Sequence, residues 1–257
     1  MKEIGNKIKS FTNIYFKEYN SPAFKKRRAK YLEHEKFACD LLDKVVENLS
    51  AVGELLILSQ NKNMGFLQNS TYLLLRSGLS DCIILMWMFE PQNGLTDDEG
   101  IKIRAEEMLR DHIKHHVSLM QKMQTIGLLP ASEKKFEIEV INNVYGHLLP
   151  EPLKNDLSIK KMKSAPSISS MLGTHNANNP AMVEAYNSYF IFSKIEHPGA
   201  FTRMMLEKAY TNEPNPMNQY VESSIFAISS IVKIYLSVFF KNRSFLKKMK
   251  EFKILES

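Results

Sequence analysis

The sequence predicts an all-α protein, a helical bundle of about seven main helices with an irregular insertion, and three observations carry that reading. Apolar residues recur at spacings of three and four along most of the chain, and no run alternates with the period of two that a half-buried strand requires. Gly and Pro number ten each, few for 257 residues, while the helix formers Lys, Glu, Leu and Met are plentiful. Helix-start signatures stand at the heads of several periodic segments. A chain of this length buries a sizeable core, and it is read as one helical domain over residues 1–257 with the insertion at 146–179.

Ser21-Pro22 has the form of a cap and first helical position, and from there to Gln60 Phe37, Leu41, Leu42, Val45, Val46, Leu49, Val52, Leu55 and Leu56 form one stripe. One long amphipathic helix is expected. Asn61-Lys62-Asn63-Met64-Gly65 interrupts it, and a segment apolar nearly all round follows from Phe66 to Phe89, stopping at Glu90-Pro91; it belongs at the centre of the bundle. Thr96-Asp97-Asp98-Glu99 matches a capping box, in which Thr96 bonds forward and Glu99 reaches back. The helix it starts should end near Ile126, at Gly127, with a shorter one from Ser132 to Tyr145.

Between 146 and 179, Pro150, Pro152, Pro166 and a Ser-rich run allow only short helical pieces. Asn179-Pro180 restarts regular helix to about Glu196, a further helix runs from Gly199 to Tyr210, and the last long one spans Met217 to Lys241. Within it, Ser223 to Phe240 approaches a membrane span in length, but its serines, with Lys233, favour a central helix of a soluble bundle. Met1 to Phe11 fits neither a secretory signal nor an anchor, so a cytoplasmic protein without a membrane partner is expected. Cys39 and Cys82 sit in apolar helical patterns, as small buried hydrophobes do in a reducing compartment.

The sequence has no phosphate-cradling Gly loop, dinucleotide fingerprint, nucleophile elbow or paired-Cys metal motif. The densest chemistry is Glu107, Arg110, Asp111, His112, His115 and His116 on the third long helix. Residues four apart lie about 40° apart around a helix and residues five apart about 140°. Glu107, Asp111 and His115 therefore share one stripe and His112 with His116 the next, while Arg110 lies off both. Such a cluster is a solvated face paired by its own charges, or a metal site, which would need a second helix and finds its obvious donor in Glu33-His34-Glu35. The third reading is a ribonuclease site.

Arg110-Asp111-His112-Ile113-Lys114-His115 resembles the signature of the HEPN superfamily, α-helical domains common in toxin and phage-defence systems. The resemblance implies metal-independent RNA cleavage across a homodimer interface, with Arg110 on the scissile phosphate, His115 as general acid or base and Asp111 orienting the pair, and no cofactor. A second resemblance covers roughly Tyr31 to Phe240: Leu75-Arg76-Ser77, Arg104-Ala105-Glu106, Tyr186, Tyr189, Ser193 and Glu196-His197-Pro198 look like a broad bacterial domain-of-unknown-function family of helical bundles. That family commonly has a glutamate four residues after the first arginine; here Ser80 stands there, with Asp81 beside it.

Two further groups bear on binding. Arg76, inside an apolar helix, must find a partner, and Arg76, Asp81, Tyr189 and His197 form a candidate polar pocket for a protein or small ligand. The structural version pairs Arg76 with Asp81 or Glu196, and His197 also stands where it would satisfy helix-terminal carbonyls. The formal charge of +6 favours polyanions, and Lys25, Lys26, Arg27 and Arg28 make a cationic collar for nucleic-acid phosphates, with Lys160, Lys161 and Lys163 a second basic run. Helical spacing gives Tyr15, Phe16, Tyr19, Phe24 and Phe245, beside these runs, a packing role.

Overall fold

The computed structural model describes residues 1–59, 65–91, 94–154, 157, 159, 162–174, 186–193 and 217–255, and among them every regular element is helical. The chain is an all-α helical bundle. Its helices are α1 (Lys2–Tyr19), α2 (Pro22–Arg28), α3 (Glu33–Leu58), α4 (Gly65–Met88), α5 (Asp97–Thr125), α6 (Ala131–Tyr145) and α7 (Ile168–Thr174). After a helical segment at 186–193 come α8 (Met217–Phe239) and α9 (Arg243–Glu251). The chain divides into two compact units, Met1–Trp87 with Ile168–Ser257, and Met88–Ser167.

In the first unit α1 lies along α3, burying Ile8, Phe11, Thr12 and Tyr15 against a stripe that includes Ala38, Leu42, Val45, Leu49, Val52 and Leu56. Backbones touch where they cross. A Cβ on Gly5 would stand 2.8 Å from the Gly53 carbonyl oxygen and one on Gly53 2.8 Å from Ile8 Cγ2, so both positions need a residue without a side chain. The predicted helix from Ser21 to Gln60 is two helices, parted at residues 29–32. The reason is electrostatic and local: basic residues fill the last turn of α2, Glu33 and Glu35 the first turn of α3, and the Glu35 carboxylate accepts the Leu32 N–H at 2.7 Å. Tyr31, in the break, donates its hydroxyl proton to the Phe239 carbonyl at 2.6 Å.

An aromatic chain ties α1 and α2 to the C-terminal helices. Phe24 stacks on Phe240 at 4.3 Å, Tyr15 meets Phe240 edge-on at 5.5 Å, and Phe240 touches Phe245 at 5.0 Å. The packing role expected of these rings is the one they have. Both cysteines are free and buried, and burial pushes the Cys39 thiol up to about 12. α4 buries residues on several sides, among them Tyr72, Leu75, Leu79, Asp81, Cys82, Ile83 and Leu85, as its apolar circumference requires. α8 is long and apolar enough to cross a membrane by length and composition. In the bundle it buries Val221, Ile225, Ile228, Val232 and Leu236 and leaves Phe226, Ile234 and Val238 exposed, and half-buried Lys233 donates to the Phe252 carbonyl at 2.7 Å.

The second unit is an antiparallel helix pair with a wrapped strap. α5 starts at the predicted capping box: the Thr96 hydroxyl accepts the Glu99 N–H at 3.3 Å, and the Glu99 carboxylate accepts the Thr96 N–H at 3.0 Å. It ends at Gly127, whose φ of +74° lets the Leu128 N–H return to the Met123 carbonyl at 2.8 Å. Ile113, Val117 and Met120 of α5 meet Ile141 of α6 and, from the strap, Leu148, Leu153, Leu157 and Met162. Within the insertion expected at 146–179, the described residues up to Ser167 form a single 3-10 turn, Gly146–Leu148, and are otherwise without regular structure, and α7 is one of the short helical pieces expected there. Backbone polar groups there are met from the helices: Asn142 donates to the Leu153 carbonyl at 2.8 Å and accepts its N–H at 2.7 Å, and Gln121 donates to the Leu157 carbonyl at 2.9 Å.

Candidate functional site

α5 carries the whole histidine cluster, and its helical periodicity sends the members to different neighbours. His115 Nε2 lies 3.4 Å from Asp111 Oδ2, and its side chain is 79% exposed. Arg110 turns back one turn, its guanidinium donating to Glu106 at 2.9 Å. Of the three expected catalytic residues, Arg110 and His115 therefore each have a carboxylate four residues upstream, and for His115 that carboxylate is the third, Asp111. Glu107, on the Asp111 and His115 stripe, is buried and paired with Lys163 at 2.5 Å, and its carbonyl accepts the Ala165 N–H at 3.1 Å. That end of the stripe fastens the strap. Arg104, also buried, has Glu90 at 3.7 Å; burial lowers its pKa, and Glu90 and Glu107 oppose the shift.

The neighbouring stripe opens onto space. Leu109, His112, Ile113 and His116 of α5 face Glu137, Val140, Ile141 and Tyr145 of α6 across a cleft of about 480 Å³. His116 Nε2 stands 3.2 Å from Glu137 Oε2, both side chains half-exposed. Spacings of three, four and seven on α5 set those four residues on one face, and the short Gly127 turn brings α6 back beside it. The cleft offers an apolar floor with an imidazole and carboxylate pair, and His112 as a further hydrogen-bonding group. Sequence reasoning missed Glu137 and Tyr145. The available signal was two histidines standing at core spacing beside Leu109 and Ile113.

The other predicted groups separate on inspection. Arg76 lies with its guanidinium carbon 5.5 Å from the Tyr189 ring centre, so these two meet as expected. Asp81 faces α3 instead, where Lys44 pairs with it at 3.0 Å and Asn48 donates at 3.5 Å. The expected Arg76 and Asp81 pair is corrected, because five residues along a helix turn the two side chains to different faces. Burial raises the Asp81 pKa and Lys44 opposes it. His197 and Glu196 lie outside the described residues, as do Lys160 and Lys161.

In the basic collar, Arg28 pairs with Asp40 and lies 5.9 Å from the Tyr19 ring centre. With Lys25, Lys36, Tyr19, Phe24 and Ala29 it lines a second cleft, of about 300 Å³. Lys26 and Arg27 do not line it. Glu35, in the metal donor set expected from Glu33-His34-Glu35, is committed to the Leu32 N–H. Among the described residues no three His, Cys, Asp or Glu side chains converge as a metal site.

Comparison with family models, characterised proteins and solved structures finds no match to this chain.

Proposed function

We propose that the chain is a ligand-binding helical module whose site is the α5–α6 cleft, and whose ligand is a small molecule with an apolar body and one polar end. The supporting observation is the cleft itself, about 480 Å³ and lined by Leu109, Ile113, Val140 and Ile141 around His112, His116 and Glu137. Ligand pockets of about 300 to 1,000 Å³ commonly combine apolar walls with a few convergent polar groups. The apolar floor supplies affinity, and the imidazoles with Glu137 orient the polar end.

Titration with anilinonaphthalene sulfonate, an aromatic body with one anionic end, tests this reading. Wild type should enhance its fluorescence saturably, Val140→Phe should fill the cleft and abolish the effect, and His116→Gln should weaken it. Equal enhancement by all three folded proteins would overturn the assignment.

A second reading, the HEPN-like homodimeric ribonuclease of a toxin or defence system, draws support from the Asp111 and His115 pair, 3.4 Å apart with the imidazole exposed. Because Arg110 and His115 lie about 140° apart on one helix, that chemistry calls for Arg110 of one copy beside His115 of another. RNA incubated in EDTA with wild type and His115→Ala, alongside elution volumes, decides it. Cleavage by dimeric wild type alone supports the nuclease; cleavage by both proteins or by neither removes it.

A further inference from the structure

The first unit holds a cleft that the ligand-binding reading does not use, built from the junction of α2 and α3. α2 is a single seven-residue piece whose rotation about its own axis is set by Phe24, which is buried and stacked on Phe240 at 4.3 Å and packed on Tyr19 at 5.2 Å. With Phe24 held inward, Lys25 and Arg28, three residues apart, are brought to the same side. Lys36, from the second turn of α3, reaches the same cleft from across the break at residues 29–32.

Charge and tethering distinguish this place from an ordinary lysine-rich surface. Between residues 25 and 40 the chain carries six cations, Lys25, Lys26, Arg27, Arg28, Lys30 and Lys36, against the three carboxylates Glu33, Glu35 and Asp40, of which Glu35 is occupied by the Leu32 N–H and Asp40 by Arg28. Arg28 is held from two directions, by Asp40 and by the Tyr19 ring, so its guanidinium is oriented before any ligand arrives. Neither Lys25 nor Lys36 has an ion-pair partner among the described residues. Two ammonium groups without ion-pair partners among the described residues thus line the cleft with one oriented guanidinium, beside Tyr19 and Phe24. Tyr19 has Tyr15 and Arg28 against its ring, and Phe24 is buried with Phe240 stacked on it, which leaves no platform for a stacked base.

We propose that the cleft lined by Lys25, Arg28 and Lys36 binds a terminal phosphate, the phosphomonoester of a small metabolite or of an RNA 5′ end. A terminal phosphate presents three oxygens and nearly two negative charges at neutral pH, which the net double charge of Lys25, Lys36 and the Asp40-paired Arg28 matches better than it does the single charge of a backbone diester. At about 300 Å³ the cleft takes one such group with its immediate neighbour.

The experiment measures binding of a 5′-phosphorylated RNA hexamer, the same hexamer with a 5′-hydroxyl, ribose 5-phosphate and inorganic phosphate to the full chain by calorimetry. The proposal expects the phosphorylated hexamer to bind about tenfold or more tightly than the hydroxyl form. It expects Lys25→Ala with Lys36→Ala to remove that preference, while Lys26→Ala with Arg27→Ala, outside the cleft, keeps it. Those four lysines and arginines are exposed or half-exposed, so unchanged thermal melts confirm that each variant folds. Ribose 5-phosphate binding as tightly as the phosphorylated hexamer identifies a small ester as the source; the hexamer alone binding identifies an RNA end. Equal binding of both hexamers, equal losses in the two double variants, or no binding of any probe overturns the proposal.

Discussion

His116 of α5 and Glu137 of α6 stand 3.2 Å apart across the cleft between the two helices. Both side chains are half-exposed, and a surface contact of that kind contributes below about 1 kcal/mol to stability. It stands beside Ile113 and Val140, which line the same cleft, so the proposed ligand-binding function and a purely structural role make different predictions for it.

That separation is measurable. Glu137→Gln and His116→Gln should each leave the unfolding free energy from chemical denaturation within about 1 kcal/mol of wild type, while the anilinonaphthalene sulfonate signal weakens in His116→Gln and holds or rises in Glu137→Gln, which removes a carboxylate facing the anionic probe. A large loss of stability in either variant would make the pair structural.

The α1 and α3 crossing has the opposite character. Gly5→Ala places a Cβ 2.8 Å from the Gly53 carbonyl oxygen, a backbone atom that cannot rotate away, so the helices must part. The expected cost is about 1–3 kcal/mol, the range for overpacking a close contact, less what Ala regains in helix propensity. Urea denaturation reads it, and an unchanged or raised midpoint would mean that α1 shifts along α3 without loss.

What the sequence disclosed and what it concealed divide along the range of the interactions. Both ends of α5 were legible because a capping box and a glycine turn are chemistry within five residues. The break between α2 and α3 was also local, written as cations giving way to Glu33 and Glu35, but the Ser21-Pro22 helix start standing ahead of the α3 stripe hid it. The clefts were not legible. His112 and His116 become a site only because α6 returns alongside with Glu137, and Lys25 parts company with Lys26 only because Phe24 is stacked on Phe240 at the far end of the chain. The pocket expected around Arg76 failed in one member for a reason the helical wheel already held, since Asp81 is five residues away and faces Lys44.

Asn142 offers a test of the strap. Its side chain satisfies both the N–H and the carbonyl of Leu153, which is buried. Asn142→Ala leaves two backbone groups without their partners and should cost about 1–3 kcal/mol. It should also speed limited proteolysis between residues 149 and 167, where the described backbone has no helical bonding of its own. Unchanged cleavage would show that Leu153 and its neighbours are held by their apolar contacts alone.

The pH dependence of stability has a specific expected contributor in Asp43. Burial, with Glu47 adding repulsion, pushes its carboxyl up to about 6 from an ordinary value of 3.8. A folded-state pKa above the unfolded one means that the folded protein binds the proton more tightly, so this group's contribution is fully present below about 4 and is lost as pH rises through about 6. Above that, the folded chain carries a half-buried charge that the unfolded chain would solvate. Asp43→Asn removes the titration and should therefore stabilise the protein at pH 7 by about 1 kcal/mol, a value discounted for the carboxyl's partial exposure. The difference from wild type should shrink towards nothing as pH falls below about 4, where Asp43 is neutral in the folded chain and largely so in the unfolded one. Thermal melts of the two proteins across that window measure it directly. A variant less stable at pH 7 would show that the Asp43 charge holds Tyr15 and Tyr19, whose hydroxyl pKa values it helps to raise, in place.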